Sequence, residues 1–509
     1  MLVSSQRLVR FPPPRLPGRL VGLMAGVALL AGCAVTSPPG AIDADVPPQW
    51  YAALPGNNIT TGAGLPHNAK LSNLFQWWQL QNDAVLVELI DAAQRVGPSV
   101  ITARANIEQA RALRSVSSGA LLPSLDGLGS ISRGSSLAGP SGGAGGGGSV
   151  IATTSQLGLQ GSWEIDVFGK NAAKRDAAQE RVMASQARWH DARVVVAAEV
   201  ASQYYRLRSC EKQLALTAQD AQSRAETSRL TASSTAAGFN APAVAALARA
   251  SAAEGASRLS QQRAQCTVDV KALVALTAIN EPALVQKLAR SLADAPDGQP
   301  QQAIQAVASV PAQAIGQRPD VYSAAREVAA ASRDVGSAAA ARLPRLTLTG
   351  NIGTGRTRIS GQSQGFDTWS FGPLALSLPL FDGGVSRSNQ DIANAKYDEA
   401  TGKYQSVVRL AVREVEEALV NLQSTSERAS DTNIAADSYR ASFAGTEARY
   451  KAGLASLVEL EESRRTLLAA QGAVIALQLE RRSAWIALYR ALGGGWSDSQ
   501  EPINAAAAN

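Results

Sequence analysis

Cys33 is the residue whose surroundings most clearly predict chemistry in this 509-residue sequence. A basic stretch without acidic residues leads into a short apolar run that ends in Leu30-Ala31-Gly32-Cys33. The run is shorter than the roughly 20 apolar residues that span a membrane, and small residues before a cysteine are typical of a bacterial lipoprotein signal. We therefore predict that residues 1–32 are removed and that Cys33 receives S-diacylglycerol and N-palmitoyl groups. An ordinary signal peptide with a chance cysteine is the alternative.

The residues after this cysteine predict where the protein resides. In such lipoproteins an aspartate in the next position often means retention at the inner membrane, so Ala34 favours the outer membrane. Residues 33–70 are rich in Pro, Gly, Asn and Thr, which predicts a lipid-anchored tether without regular structure.

Cys210 and Cys266 lie at equal distances from Gly238, since 238 − 210 and 266 − 238 are both 28. If the chain folds back at this glycine, the two thiols lie at the same height on neighbouring helices. Exported proteins meet an oxidising compartment, and small flanking residues let two helices approach to the Cα separation of about 7 Å or less that a disulfide requires. We predict a Cys210–Cys266 disulfide; two unpaired core cysteines are the alternative.

Catalysis finds little support in the remaining residues. His67 and His190 lie in unrelated segments, and no metal-ligand spacing, nucleophile elbow or phosphate-binding loop is visible. The glycine-rich run 139–149 is not followed by Lys-Ser/Thr, and the run 350–355 lies in an alternating strand pattern. We expect no enzyme, no metal and no cofactor.

The charge balance does not favour a nucleic-acid partner. The formal net charge of +6 falls to +2 once the four N-terminal arginines are removed, since 6 − 4 = 2. A surface of mixed charge is therefore expected.

Two long segments without proline carry the apolar spacing of long helices. In the segment 382–452 the spacing alternates between four and three residues, which is typical of a coiled-coil stripe. The members of this stripe are Val408, Val412, Val415, Leu419 and Leu422. A glycine interrupts each segment, and the helical pattern then resumes. We predict two helical hairpins, 167–279 with its tip at Gly238 and 382–492 with its tip at Gly453.

Between the helical segments, the sequence alternates with a period of two. From 156 to 165 polar residues alternate with mostly apolar ones, and leucines alternate with polar or small residues near 346 and 376. This alternation is typical of transmembrane β-strands. We predict strands at 123–136, 150–165, 344–358 and 367–380, with Pro379 marking a strand end.

The spacings indicate a duplication. From Phe168 to Gly238 is 70 residues (238 − 168), and from Phe381 to Gly453 is 72 (453 − 381). The chain is therefore predicted to repeat a unit of helix, strand, strand, helix and helix, a mainly α fold with transmembrane β-strands. The predicted segments are a first repeat at 71–290, a linker at 291–318, a second repeat at 319–497 and a flexible tail at 498–509.

Four strands cannot close a barrel, and an open edge in lipid costs several kcal/mol for each unsatisfied backbone group. Three copies would supply twelve strands, an even number within the usual range. We therefore predict a homotrimer whose twelve-stranded β-barrel continues into a long periplasmic α-helical barrel.

Several motifs together resemble the TolC-type outer-membrane efflux channels, and more closely their lipoprotein, NodT-like branch. The motifs are Trp163-Glu164-Ile165-Asp166-Val167-Phe168-Gly169, Arg318-Pro319-Asp320-Val321, Leu378-Pro379-Leu380-Phe381-Asp382-Gly383-Gly384 and Tyr489-Arg490-Ala491-Leu492-Gly493-Gly494-Gly495-Trp496. The resemblance covers about 71–497. It implies a passive exit duct that docks to a periplasmic adaptor and to an inner-membrane pump, often of the resistance-nodulation-division type.

The resemblance also implies a periplasmic gate after the second hairpin tip. Related channels carry an apolar ring, an acidic ring and a basic partner there, and the matching residues are Val458, Glu462 and Arg465. Their spacings of four and three place them on one helix face, although an ordinary solvated face has the same spacing. The loops at Gly238 and Gly453 are expected to contact the adaptor.

Two other functions remain open at this point. An adaptor also carries a helical hairpin, but the duplication and the membrane-type strands argue against it. An outlet for an ABC-driven (type I) protein secretion system would keep the same fold.

Overall fold

The protein is described from a computed structural model, which covers residues 37–43, 46–47, 50–52, 78, 83–137, 149–293, 315–316, 318–359 and 361–496. The predicted signal peptide, Cys33, His67, most of the tether, the glycine-rich loop, most of the linker and the C-terminal tail lie outside the described residues. The predictions made for them stay predictions.

One antiparallel sheet contains all four predicted strands, in the order β1-β2-β3-β4. The strands are β1 Ser124–Leu137, β2 Ser149–Ile165, β3 Arg345–Ile359 and β4 Gln362–Ser377. The prediction for β4 was wrong at both ends, because the strand begins five residues earlier, at Gln362, and ends before Pro379. A proline cannot donate a backbone hydrogen bond to the neighbouring strand, so the pairing stops at Ser377.

The register gives the sheet two different faces, because directly paired residues of antiparallel strands point to the same side. One face is mainly apolar and includes Leu125, Leu159, Trp163, Leu348, Ile352, Trp369, Phe371, Leu374 and Leu376. The opposite face is mainly polar and includes Ser130, Gln156, Gln160, Glu164, Thr347, Asn351 and Thr368. An irregularity between Leu348 and Gly350 inserts one extra residue on β4, which keeps Phe371 and Leu374 on the apolar face.

Helices α1 and α2 precede the sheet, and one long helical hairpin follows each pair of strands. Their bounds are α1 Ala84–Val96, α2 Pro98–Gly119, α3 Lys170–Ala236, α4 Pro242–Thr277, α5 Glu281–Ala293, α6 Pro319–Ala340, α7 Val385–Lys451 and α8 Leu457–Ala491. None of these helices combines the length with the apolar composition that crossing a bilayer requires.

Helix α5 was not predicted, and the expected linker overlaps its end. Leu284 and Leu288 lie four residues apart on one face of α5 and are both buried, and Leu292 continues the same spacing in the sequence. A stripe of three leucines in 13 residues is too short to identify a helix by spacing alone.

The chain divides into two compact units, which do not coincide with the two predicted repeats. The first contains Leu113–Ala178, Ala329–Tyr397 and the described residues up to Gly40, and it holds the whole sheet. The second contains Gln179–Val328, the described residues between 41 and 112 and those after 397. Each unit takes segments from both repeats, because β2 of the first repeat pairs with β3 of the second.

The core of the second unit collects the apolar stripes of several helices. Tyr204, Leu207, Leu273, Leu419 and Leu488 are almost completely buried there. In the coiled-coil stripe predicted on α7, four of the five members are buried: Val408, Val415, Leu419 and Leu422. Trp78, from the segment before α1, is buried and contacts Tyr489 edge to face at 4.8 Å between ring centroids.

Candidate functional site

Both hairpin tips have the same backbone geometry. At the first tip Gly238 has φ +81°, its N–H bonds to the Thr235 carbonyl at 3.0 Å, and Phe239 N–H bonds to the Ser234 carbonyl at 2.9 Å. At the second tip Gly453 has φ +73°, and its N–H bonds to the Tyr450 carbonyl at 3.0 Å. Leu454 N–H bonds to the Arg449 carbonyl at 2.8 Å. This is the glycine-containing Schellman motif that ends helices.

The tips expose large apolar side chains. Phe239 is 83% exposed and Leu454 is 71% exposed, in equivalent positions directly after the two glycines. In many Schellman motifs the residue in this position packs against the helix, and here it faces solvent. The two side chains are therefore available to a partner.

Helix α8 begins directly after the second tip. The Ser456 side chain accepts a hydrogen bond from Glu459 N–H at 3.1 Å, which caps the helix. The buried side of its first three turns includes Leu457, Leu460 and Leu467.

Val458, Glu462 and Arg465, the predicted gate residues, lie on the other side of α8. Val458 is 63% exposed, and Arg465 Nη2 lies 2.6 Å from Glu462 Oε1 in an exposed ion pair. An exposed pair of this kind contributes at most about 1 kcal/mol to folding. A gate needs side chains from several copies and the structure describes one chain, so the role of these residues as a gate stays a prediction.

A buried group of charges on the inner side of α8 was not predicted from the sequence. Arg224 of α3 binds Asp220 on its own helix at 2.9 Å and Glu461 of α8 at 2.7 Å. Ser251 of α4 bridges the same two helices, because its hydroxyl accepts from Arg224 at 2.6 Å and donates to Glu461 at 2.8 Å. Arg464 completes the group with a 2.6 Å bond to Glu461. We call these five residues the inter-hairpin charge cluster.

The inter-hairpin charge cluster is close to neutral, with two arginines and two carboxylates. Arg464 also donates to Ser223 Oγ at 3.1 Å and to Thr227 Oγ1 at 3.3 Å, and it lies over the Phe443 ring at 5.6 Å. Gly255 of α4 makes room, since a Cβ there would lie 2.9 Å from Arg224 Cδ. The cluster joins the two hairpins next to the predicted gate.

One signal in the sequence could have found this cluster. Arg464 falls in the phase of the buried stripe Leu457, Leu460 and Leu467, where a solvent-facing charge does not fit. A charge in a buried phase implies a charged partner on a neighbouring helix, although the sequence does not say which.

The structure joins Cys210 of α3 to Cys266 of α4, with Sγ atoms 2.07 Å apart and Cα atoms 5.6 Å apart. Both cysteines are buried, and their bond connects the two arms of the first hairpin.

The Arg318-Pro319-Asp320-Val321 motif positions the start of α6. Arg318 is buried and binds Asp320 at 2.8 Å, Glu414 at 2.8 Å and the Ala491 carbonyl at 2.9 Å. Its cation thereby ties three segments of the second unit together, which gives the motif a structural role.

Two titratable residues beside this motif have shifted pKa values. Burial raises the pKa of Asp191 to about 6, with a further contribution from the Asp320 carboxylate. Burial also lowers the pKa of His190 to about 4, and the Arg193 charge adds to this effect. Among the described residues, no group of three or more His, Cys, Asp or Glu side chains is placed to hold a metal ion.

The sequence model of the outer membrane efflux protein family matches residues 89–278 and 310–494, which is most of the chain. The chain belongs to the outer membrane efflux protein family. It is 30% identical over 461 residues to the outer membrane protein OprJ of Pseudomonas aeruginosa, covering 89% of this chain and 92% of that protein. It is 28% identical over 482 residues to the solvent efflux pump outer membrane protein SrpC of Pseudomonas putida, covering 94% and 98%.

A solved outer-membrane channel has the same fold. The CmeC outer membrane channel of Campylobacter jejuni matches with a TM-score of 0.77 at 22% identity, over 92% of this chain and 96% of that one. Membership in the outer membrane efflux protein family confirms the resemblance drawn from the motifs. It places this chain in the outer membrane, among channel proteins of efflux systems.

Proposed function

We propose that this protein is the outer-membrane exit duct of a tripartite efflux system, through which an inner-membrane pump and a periplasmic adaptor expel toxic small molecules. The observation that carries the proposal is the two-faced sheet with its two open edges. One face suits lipid and the other suits water, as in the wall of an aqueous pore. The protein catalyses no reaction; the pump supplies the energy.

The open edges require further copies of the chain. Strands β1 and β4 are the outer strands of the sheet, and each pairs on one side only within the described residues. Since unpaired backbone groups are costly in lipid, copies join β4 of one chain to β1 of the next. The alternating strand directions make this new pair antiparallel, and three copies give 3 × 4 = 12 strands.

The names of the relatives support small molecules as substrates. They include a solvent efflux protein, a toluene efflux protein, an antibiotic efflux protein and a pyoverdine export protein of Pseudomonas species. We assign solvents, antibiotics and similar toxic compounds to this chain as a class. The pump is of the resistance-nodulation-division type in this proposal.

The hairpin tips form the adaptor contact in this proposal. Phe239 and Leu454 stand in equivalent positions beside Gly238 and Gly453, and both are exposed. A partner that packs against the tips would remove these apolar side chains from water, which favours binding.

Lipidated Cys33 anchors the chain in this proposal, and residues 33–70 form the tether. Short described parts of this segment form hydrogen bonds with residues of the helices. The Pro38 carbonyl accepts a bond from Ser332 at 2.6 Å and the Pro39 carbonyl accepts one from Tyr397 at 2.9 Å. Farther along, Tyr51 and Ala52 N–H groups each bond to the Glu416 carboxylate at 2.7 Å.

The gate consists of Val458, Glu462 and Arg465 from each copy. Three-fold symmetry brings three Glu462 carboxylates together at the tip of the duct, where Arg465 of the same chain balances each charge. Val458, one helical turn nearer the tip than Glu462, narrows the opening. The inter-hairpin charge cluster holds the opposite side of α8 against the first hairpin.

Single-channel recording in planar lipid bilayers tests the function and the gate together. Glu462→Ala breaks the acidic ring, so we expect a higher conductance than that of the unmodified protein. Glu254→Ala is the matched control, because this glutamate also forms an exposed helical ion pair, with Arg258 of α4. If the Glu462 variant and the unmodified protein have equal conductance, the gate assignment is wrong. If neither the unmodified protein nor any variant conducts ions, the proposed duct is wrong.

A further inference from the structure

The apolar face of the sheet changes character at one end. Five rows of paired residues, from the Ile165 row to the Leu157 row, carry mainly apolar or small side chains. The nine residues 157–165 of β2 span about 27 Å along the strand, which gives about 20 Å of height once the strands tilt by about 40°, most of the roughly 25 Å of a lipid-facing band. The next two rows carry three arginines, Arg133, Arg356 and Arg358, on the same face. We call these residues the rim arginines.

The register places the rim arginines close together. Thr153 of β2 pairs with Arg133 of β1 on one side and with Arg358 of β3 on the other. Two strand spacings therefore separate Arg133 and Arg358, about 10 Å, and two residues of one strand separate Arg356 and Arg358, about 7 Å. Long guanidinium side chains at these separations can converge on one multivalent anion.

The rim arginines are without ion-pair partners in the part of the chain that the structure describes. All three are exposed, and none forms a salt bridge there. Asp367 is the acidic residue nearest to them along the strands on this face, and it lies opposite Thr354 in the Leu157 row, the last row of the apolar band. Three positive charges against one negative charge leave the rim basic.

The position of the rim arginines along the strands defines their surroundings. They lie beside the β1–β2 and β3–β4 hairpin connections, whereas the helices join the strands at the opposite end. If the sheet spans the outer membrane, as the proposed function requires, this end reaches the outer surface. The arginines then stand at the depth of lipid headgroups, directly above the apolar band.

We propose that the rim arginines bind the phosphate groups of a phosphorylated glycolipid in the outer leaflet. Guanidinium groups form bidentate, charge-assisted hydrogen bonds with phosphate oxygens. A depression of about 640 Å³ adjoins Arg356, and Ile131, Ser155, Leu157 and Gly365 contribute to its lining. Acyl chains attached to the same headgroup can lie along the apolar rows, which a soluble phosphate cannot do. This inference rests on the proposed membrane position of the sheet.

Titration of the purified full-length protein with bisphosphorylated lipid A, followed by native mass spectrometry, tests the site. The loss of one charged hydrogen bond weakens binding about tenfold or more, so Arg133→Gln/Arg356→Gln/Arg358→Gln lowers the affinity at least tenfold. The control is Arg104→Gln/Arg249→Gln/Arg409→Gln, which removes three exposed arginines from helices. We expect the control to bind lipid A like the unmodified protein.

Two further arms use the unmodified protein and need no variant. Lipid A without phosphates should bind to the unmodified protein as weakly as bisphosphorylated lipid A binds to the triple variant. Millimolar inorganic phosphate should not displace bisphosphorylated lipid A from the unmodified protein. Equal affinity with and without the phosphates would overturn the proposal, and so would full displacement by inorganic phosphate, which would indicate a soluble anion as the ligand.

Conductance of the same samples separates this inference from the proposed function. If the protein conducts ions and the substitution of the rim arginines leaves its affinity for lipid A unchanged, only the lipid site is overturned. If the protein does not conduct ions but the substitution lowers its affinity for lipid A, only the duct is overturned.

Discussion

Asp191 shows how a single buried carboxylate can oppose folding at neutral pH. Burial and the nearby Asp320 and Glu414 carboxylates disfavour its charge, although Arg318 and Arg490 partly compensate. Its pKa is about 6 in the folded protein against 3.8 as the ordinary value. The raised pKa means that the charged form destabilises the fold above pH 6, and that this cost disappears as the pH falls towards 3.8.

Asp191→Asn should therefore stabilise the protein at pH 7.5, by up to about 3 kcal/mol, since one pKa unit corresponds to about 1.4 kcal/mol. The gain should shrink through pH 6 to 4 and vanish below that. Thermal unfolding midpoints of both proteins across this pH range measure it. Asp437→Asn removes a carboxylate that is exposed and should change little. A stabilisation that does not depend on pH would contradict the pKa assignment.

At the scale of single residues the sequence predicted some positions and missed others for physical reasons. Cys210 and Cys266 could be paired in advance, because equal distance from a turn fixes equal height on two antiparallel helices. Asp83 caps α1, since its carboxylate accepts from Leu86 N–H at 3.1 Å, and aspartate is a common residue in that position. Arg464 was missed, because its partners besides Glu461 lie on another hairpin; Ser223 is 241 and Thr227 is 237 residues away.

At the scale of elements the glycine turns and the alternating strands were predictable, and their ends were less so. The turns at Gly238 and Gly453 need a residue with positive φ, which glycine supplies without strain. The ends of β4 depend on its pairing with β3, which a single strand does not encode. Helix α5 depends on packing that buries Leu284 and Leu288.

The inter-hairpin charge cluster is the element-scale feature with the clearest energetic consequence. Arg464→Met leaves Asp220 and Glu461 with Arg224 alone, and breaking a buried charge pair costs about 3–5 kcal/mol. Arg465→Met, one residue along α8, removes a charge of the same kind from an exposed pair and should cost less than about 1 kcal/mol. Thermal unfolding in detergent compares them. Equal shifts for the two variants would show that the cluster does not hold the hairpins together.

At the scale of the whole molecule, one chain supplies a four-stranded sheet whose edges are open and whose faces differ. The duplicated element order was visible in the sequence, because the distances from Phe168 to Gly238 and from Phe381 to Gly453 agree within two residues. The division into two interleaved compact units was not visible, because it depends on pairing between strands of different repeats.

The mass of the assembled protein tests the central claim most directly, because a pore exists only if copies of the chain close the sheet. Native mass spectrometry of protein extracted from outer membranes measures that mass. Closure of 3 × 4 strands predicts a dominant species of three mature chains. A sample that remains monomeric across all mild detergents and lipid nanodiscs would contradict the account.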